Sequence, residues 1–257
     1  MTPAPKSARR ILIGAGSFAD ARAALRLVER LTASLSAELG GMLVEETMLA
    51  ELADLPRQRV ITSRGTFVVA PSPSQIRIAI ESDAKAFRQT LSALAQRQKW
   101  SFERRRGELI SGLCETAKGW DVLLLGHRET HRLNGQVILI APPADASQSA
   151  EDLAEDLASG LGTSTIRLSM DPARPGTFDV FPVTEHFADE DALLTRIGRI
   201  HASAVVLDLS AGPLRTYDQL RHLLAAARCP IVVLGAGKGE PQPEHATRIP
   251  PAPEATT

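Results

Sequence analysis

Aromatic residues are scarce: two Trp, one Tyr and seven Phe make up 4% of the 257 residues. That leaves little material for the stacking platforms that hold single-stranded nucleic acid. Net charge is also nearly absent, with 29 Lys and Arg against 30 Asp and Glu and a formal value of −1. No whole-chain field recruits nucleic acid or an anionic membrane surface. Cysteine is limited to Cys114 and Cys229, far apart and in no CxxC or Cys/His cluster. That excludes a disulfide framework and a structural zinc site, and both thiols read as buried filler. Missing too is any apolar run near the roughly 18–20 residues that span a bilayer. The opening MTPAPKSARR passes straight into an apolar strand with no cleavage site behind it, so no signal peptide is expected. Together these absences predict a cytoplasmic chain with neither nucleic acid nor membrane as partner.

What is present is an ordinary globular composition, 44% hydrophobic and 23% charged, with length for about one and a half to two domains. Arg10–Gly14 (RILIG) reads as a buried strand, and Ser17 can cap a helix beginning at Phe18. Ala24, Leu25, Val28, Leu31, Leu35 and Leu39 recur at helical spacing, Gly40-Gly41 stops the run, and Met42–Val44 is the next strand. Strand, amphipathic helix and strand in that order predict a right-handed crossover and a parallel sheet. Glu45–Leu55 reads as a short helix ended by Pro56, and residues 56–73 as a long excursion of the kind that covers a site. Ser74 can cap a helix carrying Ile76, Ile80, Phe87, Leu91 and Leu94. Trp100–Arg104 then reads as strand, Leu109–Lys118 as helix and Val122–Leu125 as strand.

From Val137 the same order restarts. Val137–Ile140, Thr165–Met170, Phe178–Val183, Ala204–Leu207 and Ile231–Leu234 read as strands, with helices at Ala150–Leu161, Ala192–Ile200 and Tyr217–Ala227 and a Pro/Gly turn at Asp171–Gly176. The expected division is a flexible 1–8, a first α/β unit at 9–133, a second at 134–237 and a disordered Pro-rich tail at 238–257.

RGELISGLCETAKGWDVLLLG (106–126) resembles the third-strand end, helix and fourth strand of universal stress proteins. YDQLRHLLAAARCPIVVL (217–234) is similar to that family's terminal helix and last strand, and residues 10–46 match its opening in layout. The resemblance implies a tandem, diverged member: two consecutive doubly wound parallel-sheet units, each with family strand order 3-2-1-4-5. It also implies ATP at the carboxyl ends of the strands, where open α/β sheets bind ligands. Binding members carry a G-x2-G-x9-G-[ST] loop after the fourth strand, whose glycines let backbone amides approach phosphate. Here Glu129 and Leu139 stand at the second and third glycine positions after Gly126, and LDLSAGPLRTYD near Asp208 and Leu209 lacks the spacing as well. The acidic residue that members often carry at the end of the first strand is replaced by LIGAGS and LIAPPAD. The signature is lost in both halves.

Arg128–Gly135 is too short for a parallel crossover, which needs roughly ten to twelve residues or more. Val137–Ile140 therefore opens the second unit, and the first lacks its last helix and strand. Its bare edge must be covered by the second half or by another subunit.

The remaining cofactor-binding candidates lie at first-half strand ends. Gly14, Gly16 and Ser17 join a strand to a helix N-terminus, Val44 ends the second strand, and Gly126, His127 and Arg128 follow the fourth. A plain structural turn explains Gly14–Ser17 equally. Arg104-Arg105-Arg106 reads as a solvated strand end. Glu45 and Glu46 face opposite ways along a strand, and His186, His201 and His222 have no ligand spacing. No catalytic or metal residue is expected. The resemblance and the lost signature together predict a non-enzymatic, cytoplasmic regulatory or adaptor protein without cofactor, self-associating as a homodimer or binding a protein partner. The alternative is an ATP or AMP sensor using the first-half strand ends.

Overall fold

Uninterrupted apolar runs such as Val122–Leu125 and Ile231–Leu234 demand cover on both faces, and a computed structural model gives them that cover. The structure describes residues 9–32, 37–46, 59–61, 67–69, 72–96, 98–127, 135–142, 149–180 and 183–238. The expected flexible 1–8, the tail from 239 onward and all of the expected Glu45–Leu55 helix beyond Glu46 lie outside these. Glu45 and Glu46 themselves are strand, not helix, because they extend the second strand of the sheet alongside Arg106 and Gly107.

The strands are β1 (Arg9–Ala15), β2 (Ala37–Glu46), β3 (Arg59–Ile61), β4 (Phe67–Val69), β5 (Trp100–Gly107), β6 (Val122–Leu125), β7 (Gln136–Ile140), β8 (Thr165–Met170), β9 (Phe178–Val180), β10 (Val183–Phe187), β11 (Ala202–Asp208) and β12 (Ile231–Leu234). The helices are α1 (Phe18–Thr32), α2 (Pro73–Ala95), α3 (Leu109–Thr116), α4 (Ser149–Leu161), α5 (Glu190–Ile197) and α6 (Tyr217–Ala227). Ten strands form one sheet in the order β5-β2-β1-β6-β12-β11-β7-β8-β10-β9, while β3 and β4 make a separate antiparallel pair within the expected excursion.

Instead of two separate sheets, the sheet has two parallel blocks fused along one seam. β5-β2-β1-β6 run parallel, as do β12-β11-β7-β8-β10. At the seam β12 pairs antiparallel with β6, Leu125 opposite Ile231 and Val122 opposite Leu234. The second half thus covers the edge that the short first half leaves. The reversal also explains the brevity of the link. Because the second block runs the opposite way, β7 starts at the rim where β6 ends, about 14 Å to the side at three strand spacings. The ten linking residues, 126–135, are long enough for that span, and no parallel crossover is required. The carboxyl ends of the two blocks therefore lie at opposite rims.

Alternate side chains divide the core between the faces. On one, α1, α2 and α4 cover Ile11, Ile13, Leu39, Leu43, Leu124, Leu139, Val206 and Val232; on the other, α3, α5 and α6 cover Leu12, Met42, Val44, Leu123, Ile138, Leu168, Val205 and Val233. Cys114 and Cys229 are buried, and burial pushes both thiols up to about 12.

Several boundaries differ from expectation for identifiable reasons. Leu39 belongs to β2, not to the preceding helix, and Gly40-Gly41 lie inside that strand. A Cβ at Gly40 would meet the Trp120 ring at 2.4 Å, and one at Gly41 would meet Leu91 at 2.7 Å, so both permit close packing over the strand. α2 is capped by Ser72 and not by Ser74: Ser72 and Gln75 form a capping box with Pro73 in the first turn. Phe178–Val183 is not one strand but parts of two, because β9 folds back antiparallel on β10.

Candidate functional site

The first rim gathers the residues expected to hold a cofactor. Gly14 ends β1 and its amide oxygen accepts from Gly126 N–H at 2.7 Å, which ties the ends of β1 and β6 together. Ser17 caps α1: its Oγ accepts from Asp20 N–H at 3.2 Å while its hydroxyl donates to the Asp20 carboxylate. Phe18 N–H, the first amide of the helix, donates to the Asp83 carboxylate of α2 at 3.1 Å. Two carboxylates therefore occupy the positive end of α1, where an incoming anion would be drawn.

The glycines there serve packing. A Cβ at Gly126 would lie 2.7 Å from the Asp20 carbonyl and 3.0 Å from Ala21 Cα, so the first turn of α1 rests on bare backbone. One at Gly14 would strike the Leu113 side chain at 2.3 Å, whereas Gly16 faces open space. Val44 is fully buried with the α3 face of the core. His127 is half-buried at the rim, and Arg128 and Glu129 lie outside the described residues.

Beside this rim, the arginine triplet on edge strand β5 is neutralised in place. Arg104 bridges Glu45 at 2.6 Å and Glu81 at 2.7 Å, Arg106 reaches Glu45 at 3.3 Å, and Arg105 pairs with Glu115 at 2.6 Å. Burial pushes the Glu45 carboxyl up, but the two guanidinium groups outweigh it and hold it below its ordinary value. An ion-paired edge of this kind discourages strand addition more than it attracts nucleic acid.

At the opposite rim the same device recurs. Asp208 ends β11 and is buried; its Oδ1 accepts from Ser210 N–H at 2.8 Å, Ser210 Oγ at 2.7 Å and Ala211 N–H at 3.2 Å. Gly212 N–H closes the turn onto the Asp208 carbonyl at 2.7 Å. Here also a carboxylate of the chain takes backbone donors at a strand end, after β11 as after β1.

Next to that turn a cleft of about 640 Å³ opens along β7, β8 and β10, lined by Pro142, Glu151, Arg167, Ser169, Asp179 and His186 among others. Arg167 pairs with Glu151 of α4. Asp179 accepts from Arg174 at 2.5 Å and meets His186 Nε2 at 2.8 Å. Arg174 first, and His186 second, hold the Asp179 carboxyl below its usual range. This cluster was missed from the sequence because its members lie far apart along the chain. The available signal was alternation in β8: TIRLSM places polar residues at every second position, unlike the uniform VLLL of β6. Among the described residues no group of three or more His, Cys, Asp or Glu could hold a metal ion. Nor is any described helix long and apolar enough to cross a membrane.

Neither a protein-family model nor a curated protein matches the sequence. Among solved structures, a universal stress protein from Archaeoglobus fulgidus DSM 4304 superposes with a TM-score of 0.50 at 10% identity, covering 87% of this chain and 95% of that one. The fold is that of a universal stress protein. A functionally unknown protein from Pseudomonas aeruginosa PAO1 aligns with a TM-score of 0.46 at 12% identity, covering 89% of this chain and 92% of that one.

Proposed function

We propose that the chain is a non-enzymatic, cytoplasmic regulatory or adaptor protein of universal-stress type, with two tandem units at 9–133 and 134–237. Neither unit uses a nucleotide, and the protein acts through protein contacts as a homodimer. The observation that carries this reading is the pair of internal carboxylates. Asp83 accepts from the first amide of α1, and Asp208 accepts from the amides after β11. A triphosphate would have to displace a bound carboxylate and its charge at either rim. Like charges in one site raise the free energy of both.

The second reading is an adenine-nucleotide sensor using Gly14, Gly16, Ser17, Val44, Gly126, His127 and Arg128. The open space at Gly16 favours it, since a ligand could approach the turn there. It requires Asp83 to leave the α1 terminus.

Thermal melts with and without millimolar ATP, AMP and Mg²⁺ separate the two. The adaptor reading expects no shift. A nucleotide at 100 times its dissociation constant stabilises by about 2.7 kcal/mol, raising the melting temperature by about 5 °C for a chain of this length. A shift lost in Ser17→Ala would establish the sensor, and multiple-turnover ATP consumption would establish an enzyme. Sedimentation equilibrium tests self-association: twice the 27.6 kDa chain mass is expected, and a monomer at tens of micromolar would contradict the homodimer.

A further inference from the structure

One helix has no counterpart in the second block. Between β2 and β5 the chain forms α2, whose Phe87 and Leu91 cover Leu39 and Leu43 of the sheet. Between β8 and β10 the described chain forms only the turn at Asp171–Thr177 and β9. Among the described residues no helix covers the sheet face beside α4 as α2 covers the first block, and that face is polar. Thr184 lies opposite Arg167 and His186 opposite Ser169, so four same-face side chains make a patch about 5 Å by 7 Å at the floor of the cleft. A helix in place of α2 would have required apolar residues at these positions.

Hydrogen bonding across the patch is incomplete among the described residues. The acidic groups are engaged: Glu151 with Arg167, Asp179 with Arg174 and His186, and Asp171 with the Ala173 amide. Among the described residues Arg167 Nε and His186 Nδ1, both buried, have no partner. His186 is 7% exposed, and leaving such groups unsatisfied costs about 1–3 kcal/mol each. Because His186 Nε2 faces a carboxylate it carries a hydrogen, so Nδ1 accepts in the neutral ring and donates only in the protonated one. Arg167 Nε always donates. An anionic oxygen can accept from Arg167 Nε, and from His186 Nδ1 in the protonated ring.

We propose that this cleft binds a small molecule through a carboxylate or phosphate group seated against Arg167 and His186, with one proton taken up at His186 Nδ1. The volume, about 640 Å³, suits a whole metabolite, since ligand sites commonly measure about 300–1,000 Å³. The charged groups around His186 are Asp179 of β9, Arg174 and Asp171 of the turn, Arg167 of β8 and Glu151 of α4. With two fixed cations against three carboxylates, the added positive charge on His186 balances the site and the ligand charge follows it. The cleft reaches the second rim at Pro142 and Pro213, whereas its Arg167 and His186 floor lies on β8 and β10.

The full chain is titrated with inorganic phosphate and, separately, with succinate, at constant ionic strength set by chloride. Melting temperature and the ¹⁵N signals of the His186 ring are followed together. At least one anion is expected to give saturable stabilisation, with the Nδ1 signal moving to its protonated position and affinity rising as pH falls. A response to phosphate alone assigns a phosphate-bearing ligand, and one to succinate alone a carboxylate. Arg167→Gln combined with Glu151→Gln removes the ion pair as a unit, and His186→Asn removes the ring; each should weaken binding about tenfold, the scale of one lost charge-assisted hydrogen bond. No saturable response to either anion overturns the proposal, as does binding unchanged in the folded variants. Should a variant fail to fold, an Nδ1 signal that stays still while the wild-type chain saturates overturns it equally. ATP seated at Gly14–Ser17 would leave the His186 signals unmoved, which keeps this outcome distinct from failure of the adaptor reading.

Discussion

The two parallel blocks of one sheet treat the same exposed face in opposite ways. In the first, α2 lies across β2 and β5, and Phe87 stacks edge-on against Phe102 with ring centroids 5.3 Å apart. In the second, a seven-residue-scale turn and a short hairpin replace that helix, and Arg167, Ser169, Thr184 and His186 meet a cleft. Yet at the strand ends the blocks agree, each seating a carboxylate of its own on backbone amides. A parallel block can thus lack a covering helix and keep its sheet, provided that the residues on that face are polar. What the chain gives up in burial there becomes surface available for recognition.

The contrast can be broken most severely at the covered face. Phe87→Ala should destabilise by about 3–5 kcal/mol in denaturant unfolding, because it opens a cavity between α2 and the sheet. His186→Ala, at the uncovered face, should cost about 1 kcal/mol or less; equal losses would mean that the second face is core and not cleft. Gly126→Ala should cost about 2 kcal/mol, since the new methyl meets the backbone of α1 and not a movable side chain. Gly16→Ala, facing open space in the same rim, should stay within about 0.5 kcal/mol. A matching pair of values would show that Gly126 has no packing role.

Smaller effects sharpen the comparison of the carboxylate seats. Asp208→Ala strands the Ser210 and Ala211 amides and should cost about 1–2 kcal/mol, against about 1 kcal/mol for Asp83→Ala at the α1 terminus. Chemical denaturation of both variants checks the order. Glu108 gives a pH signature of a seat that is purely structural. Burial raises its carboxyl, but Arg221 at 3.0 Å and the Ser111 and Ile110 amides prevail and hold it at about 2. A folded value below the model-compound value of 4.5 stabilises the protein above that pH, and the contribution fades as pH falls from 4.5 toward about 2. Unfolding measured across that window should show Glu108→Gln converging with wild type at the acid end.

Much of this architecture was legible in the residues. Thr165–Met170, Tyr217–Ala227 and Ile231–Leu234 form where their periodicity puts them, and the short Arg128–Gly135 link correctly required something to cover β6. The orientation of that cover was not legible, because no local pattern specifies an antiparallel seam between distant strands. Leu39 was misassigned since a helical stripe and a buried strand share apolar residues, and only the close approach of Trp120 to Gly40 explains the glycine pair. The candidate sites suffered most. Asp83 is remote in sequence from Phe18, so its place at the α1 terminus could not be read from GAGS. The cleft arises from an omitted helix, and an omission leaves no motif; only the alternation in TIRLSM hinted at it.

The most direct test of carboxylate-filled seats is equilibrium dialysis of the full chain against labelled ATP and Mg²⁺ at physiological salt. Less than a tenth of an equivalent bound at millimolar ligand is the expected result. One equivalent or more bound per chain, with the Ser17→Ala chain releasing it, would contradict the proposed role of Asp83.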